Sequence, residues 1–256
     1  MIFFSIITVV KNGEKFITDA IKSLHTQCDV NFEHIIIDGG STDRTIEKIN
    51  LFKKIFKKNK ILLYKFKDKG LYESINFAIS ISKGNYIGLL HSDDFYKSKK
   101  ILFNVKKCME QDKNLDLIYS DILFCKRNNK KSIIRKFVAG RYSAEKFHKG
   151  WHFPHTSMII HKKLLSKVNG YNIKYKIASD YDLMIKIIKK KPRVKYFNQV
   201  TTVMRQGGKS TKSIKSIIKS NLECREILLK NNYNNATFIV LKKISTLIIE
   251  NKKILE

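Results

Sequence analysis

The chain has 256 residues, 43% of them hydrophobic and 16 of them Phe, which argues for one large domain with a real core and against a disordered chain. Its 51 Lys and Arg against 22 Asp and Glu give a formal charge of +29, yet only seven of the basic residues are Arg. A Lys bias of this kind fits an AT-rich coding sequence as well as an anionic partner; no helix-turn-helix, zinc finger or aromatic RNA-binding signature accompanies it, so no nucleic acid is expected.

Residues 3–10 read as a strand, followed by a helix with Phe16, Ile17, Ala20, Ile21 and Leu24 on one face. Residues 32–37 form a second strand, after which Ser41 or Thr42 caps a helix carrying Ile46, Ile49 and Ile55 or Phe56. A third strand over 61–66, a helix over 71–82 and a strand over 86–90 continue the alternation. This β-α-β-α succession predicts an α/β fold with a mostly parallel sheet and helices on both faces. From residue 98 the order changes to a helix bearing Ile101, Leu102, Val105 and Met109, then strand-like 116–125 and 132–138 around a turn at Arg127-Asn128-Asn129-Lys130. Strand-like 156–161, a short helix closing at Gly170, a helix over 179–190 stopped by Pro192, and strand-like 194–204 complete this mixed half. The remainder is read as a basic, amphipathic helical extension over 211–256, with Phe238, Leu241, Ile244, Ile248 and Leu255 as its apolar face. Such a face docks on its own domain or meets an anionic membrane surface. The expected division is 1–97, 98–210 and 211–256.

Cys28, Cys108, Cys125 and Cys224 form no CxxC pair and read as thiols of a reducing compartment. Met1 to Ser5 has no basic segment before its apolar run, and no apolar stretch approaches the roughly 20 residues of a spanning helix. A cytoplasmic protein is expected, with the inner face of the membrane as a place where the extension can bind.

The turn after the first strand, Val10-Lys11-Asn12-Gly13-Glu14, has one glycine where a dinucleotide fingerprint needs three, and no Walker A sequence occurs. Phosphate charge must therefore meet a metal or basic side chains. Each following strand ends in an acid: Asp38 before Gly39-Gly40-Ser41-Thr42-Asp43, Asp68 before Lys69-Gly70-Leu71-Tyr72, and Asp93-Asp94 after His91-Ser92. Hard oxygen ligands at the carboxyl edge of a sheet suit a divalent cation holding a diphosphate. The plainer readings are an Asx turn at Asp38 and, at Asp93-Asp94, a solvated turn favouring a helix start near Ser98. Asp180 or Ser179 is equally placed to cap the helix carrying Leu183, Ile187 and Ile188. His148, His152 and His155 lack the companion ligands of a zinc site.

These motifs, in order from Ser5 to about Ser210, resemble a family 2 glycosyltransferase with a GT-A fold, and in particular the bacterial cell-surface polysaccharide transferases. Ser5-Ile6-Ile7-Thr8-Val9-Val10 with Asn12-Gly13 resembles the opening nucleotide-binding strand. Asp38-Gly39-Gly40-Ser41-Thr42-Asp43 is similar to a VDDGSTD segment with Gly39 replacing the second Asp, and Asp68 to Asn76 is similar to a DKGIYDAMN run. Ser92-Asp93-Asp94 resembles the metal-binding carboxylates, with His91 in place of the first Asp of a DxD. Pro154-His155-Thr156-Ser157, Gly170-Tyr171 and Ala178-Ser179-Asp180-Tyr181-Asp182-Leu183 resemble the acceptor-side half, and Arg205 to Ser210 a loop near the donor diphosphate.

The resemblance implies an inverting, metal-dependent transfer of a hexosyl or N-acetylhexosaminyl group from a nucleotide-sugar, expected to be a UDP-sugar, to a glycan or lipid-linked oligosaccharide in surface polysaccharide synthesis. Its implied donor-side residues are Thr8, Val10, Asn12, Asp38, Asp68, Lys69, Asn76, Ser92, Asp93 and Arg205. Asp93 and Asp94 are the implied ligands of Mn²⁺ or Mg²⁺, Asp180 the catalytic base, and His155 and Asp182 acceptor-side residues. Two other classes fit less of the pattern: a nucleotidyltransferase, which needs a glycine-rich basic loop after the first strand, and a non-catalytic module binding a polyanion or membrane.

Overall fold

The computed structural model describes residues 3–67, 69–208 and 213–252, with side chains through residue 245. Asp68, Lys209, Ser210 and Leu255, and the side chain of Ile248, lie outside the described residues. The first half alternates as the periodicity predicts: β1 (Phe4–Val10), α1 (Ile17–His25), β2 (Phe32–Asp38), α2 (Thr45–Ile55), β3 (Ile61–Lys65), α3 (Leu71–Ile81) and β4 (Tyr86–Leu89). These four strands are parallel, in the order β3-β2-β1-β4. The second half contributes β5 (Phe95–Tyr96), α4 (Ile101–Gln111), β6 (Leu117–Lys126), β7 (Asn129–Phe137), β8 (Ile159–His161), α5 (Lys162–Lys167), α6 (Ser179–Lys189) and β9 (Val194–Arg205). Two helices, α7 (Ile214–Lys230) and α8 (Ala236–Lys252), close the chain.

The sheet continues β4-β8-β6-β9-β5, with β7 paired to the far half of β6. Because β8 is antiparallel to both β4 and β6, β6 runs with β4, and β9 is parallel to β6. Six strands therefore point their carboxyl ends to one edge. That edge receives Asp38, Asp93-Asp94, Arg127 and Arg205 together.

Alternation along β1 divides the core between the two sheet faces. Ile7 packs with Ile35 and Ile37 of β2 under Ile75 of α3 and Leu183 and Ile187 of α6, whereas Phe4 and Ile6 pack with Ala20 and Leu24 of α1 and Leu102 and Val105 of α4. Each fully buried Ile or Leu contributes about 1.5–3 kcal/mol. Gly88 of β4 is a packing requirement: a Cβ there would lie 2.9 Å from Ile6 Cδ1.

The structure departs from the sequence reading in several elements, and on α2 it decides between Ile55 and Phe56. Helix α2 starts at Thr45 with neither Ser41 nor Thr42 as its cap, because both bond to the β1 loop, while Asp43 divides its carboxylate between Glu14 N–H and Thr45 N–H. On that helix Ile49 and Phe52 are buried and Ile55 is exposed, so Phe56 is the residue that packs. The strand expected over 156–161 shortens to β8, since His155–Ser157 form a 3-10 turn. On α8 the buried residues are Ala236, Ile239 and Val240, while Phe238 and Leu241 are each 60% exposed, so the apolar face that docks is rotated from the one expected. Its partners are Cys224, Ile227 and Leu228 of α7 and Tyr175, Ala178, Tyr181 and Ile185 around α6. Among the described residues no helix is long and apolar enough to cross a membrane, and all four cysteines are free.

Candidate functional site

The corner at the ends of β1 and β2 is built by two loops laced together. Asn12 takes a positive φ of 53°, its N–H donates to Ser41 Oγ at 2.9 Å and its Oδ1 accepts from Thr42 N–H at 2.8 Å. Gly13 N–H donates to Thr45 Oγ1 at 2.9 Å and Glu14 N–H to Asp43 Oδ2 at 3.1 Å. Asp38 is 2% exposed, and its carboxylate accepts from the N–H groups of Gly40 and Ser41, the Asx turn that lets Gly40 reach φ 89°. Val10 is buried and its carbonyl accepts from Gly39 N–H at 2.8 Å. The Thr8 hydroxyl is committed to the interior: it donates to Leu90 O at 2.6 Å and accepts from His34 Nε2, whose Nδ1 accepts from His25 Nε2 at 3.3 Å. With its side chain fully enclosed, Thr8 joins β1 to β2 and β4, and any contact with a nucleotide falls to the backbone of this loop.

The turn after β4 leads into β5, and the next helix begins only at Ile101, so Asp93 and Asp94 do not serve a helix start. Asp94 is 2% exposed; its Oδ1 accepts from Arg205 N–H at 3.1 Å, and its Oδ2 has no hydrogen-bond partner among the described residues. Burial, together with the neighbouring charge of Asp93, pushes the Asp94 carboxyl well above the usual range. Asp93 is more open and pairs with Arg127 at 3.3 Å. A hard cation suits this pair: a buried, unpartnered carboxylate oxygen beside a second carboxylate matches Mg²⁺ or Mn²⁺, which are held by one or two carboxylates with substrate phosphates completing the shell. Among the described residues no group of three His, Cys, Asp or Glu is placed to hold a metal unaided.

Two arginines stand behind and beside this turn. The Arg205 side chain is 3% exposed, pairs with Asp19 Oδ2 at 2.5 Å, donates to the Asp93 carbonyl and lies over the rings of Phe16 and Phe95 at 4.6 and 5.1 Å. Thus Arg205, expected from sequence beside the donor diphosphate, is a buried support of the acidic turn. The half-exposed guanidinium is Arg127, over Phe16 at 4.9 Å and bonded to Asp93 and Gln206 O. The sequence places Arg127 in a hairpin turn with no role of its own, and its one signal is the scarcity of Arg in a chain so rich in Lys.

The third corner lies on α6. Asp180 is half-buried in its first turn, with Oδ1 accepting from Tyr181 N–H at 2.9 Å, while the N-cap position is Ala178 and no side chain caps the helix. Burial lowers the pKa of His91, and the charges of Asp93 and Asp180 oppose that lowering. His91 and His155 have ring centroids 6.1 Å apart, and His155 Nε2 is 2.8 Å from the Tyr171 hydroxyl. Burial lowers His155 to about 4, with Asp180 opposing it, so the imidazole is neutral near pH 7. Tyr171 stacks on Tyr72 at 5.5 Å. Asn76, expected on the donor side, spends its amide on Tyr171: Nδ2 donates to the Tyr171 carbonyl at 2.7 Å and Oδ1 accepts from its N–H at 2.9 Å. Asp182 Oδ2 is 2.7 Å from Lys186 Nζ, an intrahelical ion pair supporting α6. Lys69 pairs with Glu73 at the helix surface, and Ser92 is half-buried in the acidic turn near Gly13.

One edge of the sheet thus carries two interlaced loops and a paired carboxylate turn, and the first turn of α6 adds a separate acid whose charge acts on His91 and His155. The family model for glycosyl transferase family 2 matches residues 5–168. The chain belongs to that family. A PGL/p-HBAD biosynthesis glycosyltransferase of Mycobacterium bovis is 23% identical over 183 residues, covering 72% of this chain and 68% of that protein. Among solved structures, S. aureus TarS 1-349 in complex with UDP-GlcNAc superposes with a TM-score of 0.71 at 17% identity, over 95% of this chain and 72% of that one. The mannosyltransferase PcManGT from Pyrobaculum calidifontis, in complex with GDP-Man and Mn2+, gives 0.67 at 14% identity, over 94% and 68%. The fold of this glycosyltransferase is accordingly of the GT-A type, and the nucleotidyltransferase reading is set aside.

Proposed function

We propose that this family 2 glycosyltransferase moves a hexosyl or N-acetylhexosaminyl group from a UDP-sugar to a hydroxyl of a glycan or lipid-linked oligosaccharide, with inversion, in building a bacterial surface polysaccharide. The observation that carries the reading is the buried Asp94 carboxylate with its unpartnered Oδ2, beside Asp93 at the carboxyl edge of the sheet. A neighbour in fold binds UDP-GlcNAc and another GDP-Man with Mn2+, which supports a nucleotide-sugar donor and a divalent cation here.

In this reading the loops at Asn12 and Asp38 receive the nucleoside through backbone groups, and Asp93 and Asp94 hold Mn²⁺ or Mg²⁺. When bound, the ion supplies Lewis-acid neutralisation of the diphosphate charge. Arg127, half-exposed next to Asp93, adds a second positive charge as the sugar-to-phosphate bond breaks. The acceptor oxygen attacks the anomeric carbon from the opposite face while its proton passes to Asp180, whose Oδ1 is fixed by Tyr181 N–H and whose Oδ2 is left for the transfer. Neutral His155, hydrogen-bonded to Tyr171, orients the acceptor beside that base. One displacement needs one base and no covalent nucleophile. UDP release is measured for Asp180→Asn and Asp94→Ala and for the wild type with chelator; near wild-type turnover in any of the three removes the corresponding role.

A lipid-linked acceptor would be met from the cytoplasm, at the inner face of the membrane. Supporting that placement, α7 exposes Ile214, Ile218 and Leu222 along one stripe, interleaved with Lys215 and Lys219.

A further inference from the structure

Glu223 sits on α7, beyond the residues that the family model matches. Its side chain crosses to the segment that leads into α6 and gathers three successive backbone donors. Oε1 accepts from Lys176 N–H at 3.2 Å, and Oε2 accepts from Ile177 N–H and Ala178 N–H, both at 2.9 Å. Helix α6 has no side-chain cap of its own, so this carboxylate adds, beside Asp180 and Asp182 of the first turn, an anion at the positive end of its dipole. On the other side the Tyr72 hydroxyl donates to Ile177 O at 2.5 Å. Ile177 is therefore held at both its N–H and its C=O, three residues before Asp180.

An ion-pair anchor is a different arrangement, and Glu226 on the same helix shows it: Glu226 is taken by Lys174 at 3.0 Å and Lys230 at 2.7 Å. Glu223 instead meets only main-chain donors of the 176–178 segment among the contacts described. Around it, Cys224, Ile227 and Leu228 of α7 seal against Tyr175, Ala178, Tyr181 and Ile185. We propose that Glu223 is a positioning residue for the transfer, fixing the start of α6 so that the Asp180 carboxylate meets the acceptor hydroxyl. The C-terminal helices are thereby part of the catalytic apparatus. The inference rests on Asp180 as the base.

The test uses the full chain and compares Glu223→Gln, Glu223→Ala and Asp180→Asn in steady-state UDP release with donor and acceptor varied, alongside thermal unfolding. Gln keeps one acceptor oxygen and so preserves the fold if Ala does not. A displaced base costs turnover and leaves donor binding alone, so kcat falls by about tenfold to a hundredfold while donor KM stays within about twofold. Loss of melting temperature with kcat intact in either Glu223 variant makes Glu223 a mere anchor and overturns the inference. Wild-type kcat in the Glu223 variants beside an inactive Asp180→Asn overturns it while sparing the base. Near wild-type kcat in Asp180→Asn removes the base and this inference with it.

Discussion

Replacing Arg205 by Met separates a structural guanidinium from a substrate-binding one. Met fills much of the slot between Phe16 and Phe95 but loses the ion pair to Asp19, the bond to the Asp93 carbonyl and both ring contacts. Breaking a buried ion pair costs about 3–5 kcal/mol when the partner is stranded. Asp19 is 26% exposed and keeps Lys130 at 2.6 Å, which moves the cost to the low end. Desolvated cation–π contacts add up to about 2 kcal/mol, and the Met side chain recovers part of that by apolar packing. A net loss of about 3 kcal/mol lowers the melting temperature of a chain this size by about 6–10 °C. Differential scanning fluorimetry reads the shift, and titration with UDP and Mn²⁺ reads binding. Arg127→Ala is the counterpart: its guanidinium is half-exposed, so stability stays within about 0.5 kcal/mol while donor KM rises about tenfold. An Arg205→Met protein that melts with the wild type yet binds the donor tenfold more weakly would refute the buried-support argument.

Asn76→Ala leaves the N–H and carbonyl of Tyr171 unpaired, an expected loss of about 2–3 kcal/mol, with kcat reduced through the Tyr171–His155 contact and UDP affinity unchanged; weakened UDP binding at unchanged stability would return Asn76 to the donor site. Burial lowers His25 to about 4 and His34 well below the ordinary value, against about 6.5 in the unfolded chain, so the unfolded state binds more protons as pH falls below 6.5. Stability carried by these neutral rings is complete above pH 6.5 and is lost toward pH 4, by about 2 kcal/mol at pH 5 for His25. Denaturant unfolding at pH 7.5 and 5.0 checks this: His25→Gln, which keeps a donor for His34 Nδ1, is expected to lose less stability between the two pH values, and an unchanged difference counts against it. Vesicles with anionic headgroups are expected to sediment the wild type and to release it as salt rises, whereas Ile218→Asp with Leu222→Asp stays in the supernatant; equal sedimentation discards the α7 stripe as a membrane contact.

Periodicity carried the parallel half because helices and strands there bury a face that their own spacing declares, as Ile17, Ala20, Ile21 and Leu24 do on α1, and α4 of the mixed half does the same with Ile101, Leu102, Val105 and Met109. The acids at the strand ends were legible for the same local reason, since Asp38 directly follows an apolar run and Asp93-Asp94 follow one after His91-Ser92. Where a side chain spends its hydrogen bonds was not legible. Asn76, Thr8 and Arg205 carry the right chemistry for a donor site, but their partners Tyr171, Leu90 and Asp19 lie 95, 82 and 186 residues away. Phe238 and Leu241 of α8 are exposed because the residues that meet α6 and α7 are Ile239 and Val240, a choice made by the neighbouring helices and not by the spacing within α8.

By itself, then, the sequence determined the α/β alternation, the acidic edge and the likeness to one transferase family, all of which are written in spacings of a few residues. Only the tertiary structure decided which of two arginines is buried and which is half-exposed beside Asp93, that Asp94 is buried with one oxygen unpartnered, and that a glutamate of α7 holds the segment leading to Asp180. Those are contacts between segments far apart in the chain, and pairing across such distances is set by the order of strands in the sheet and by burial, which local pattern does not encode.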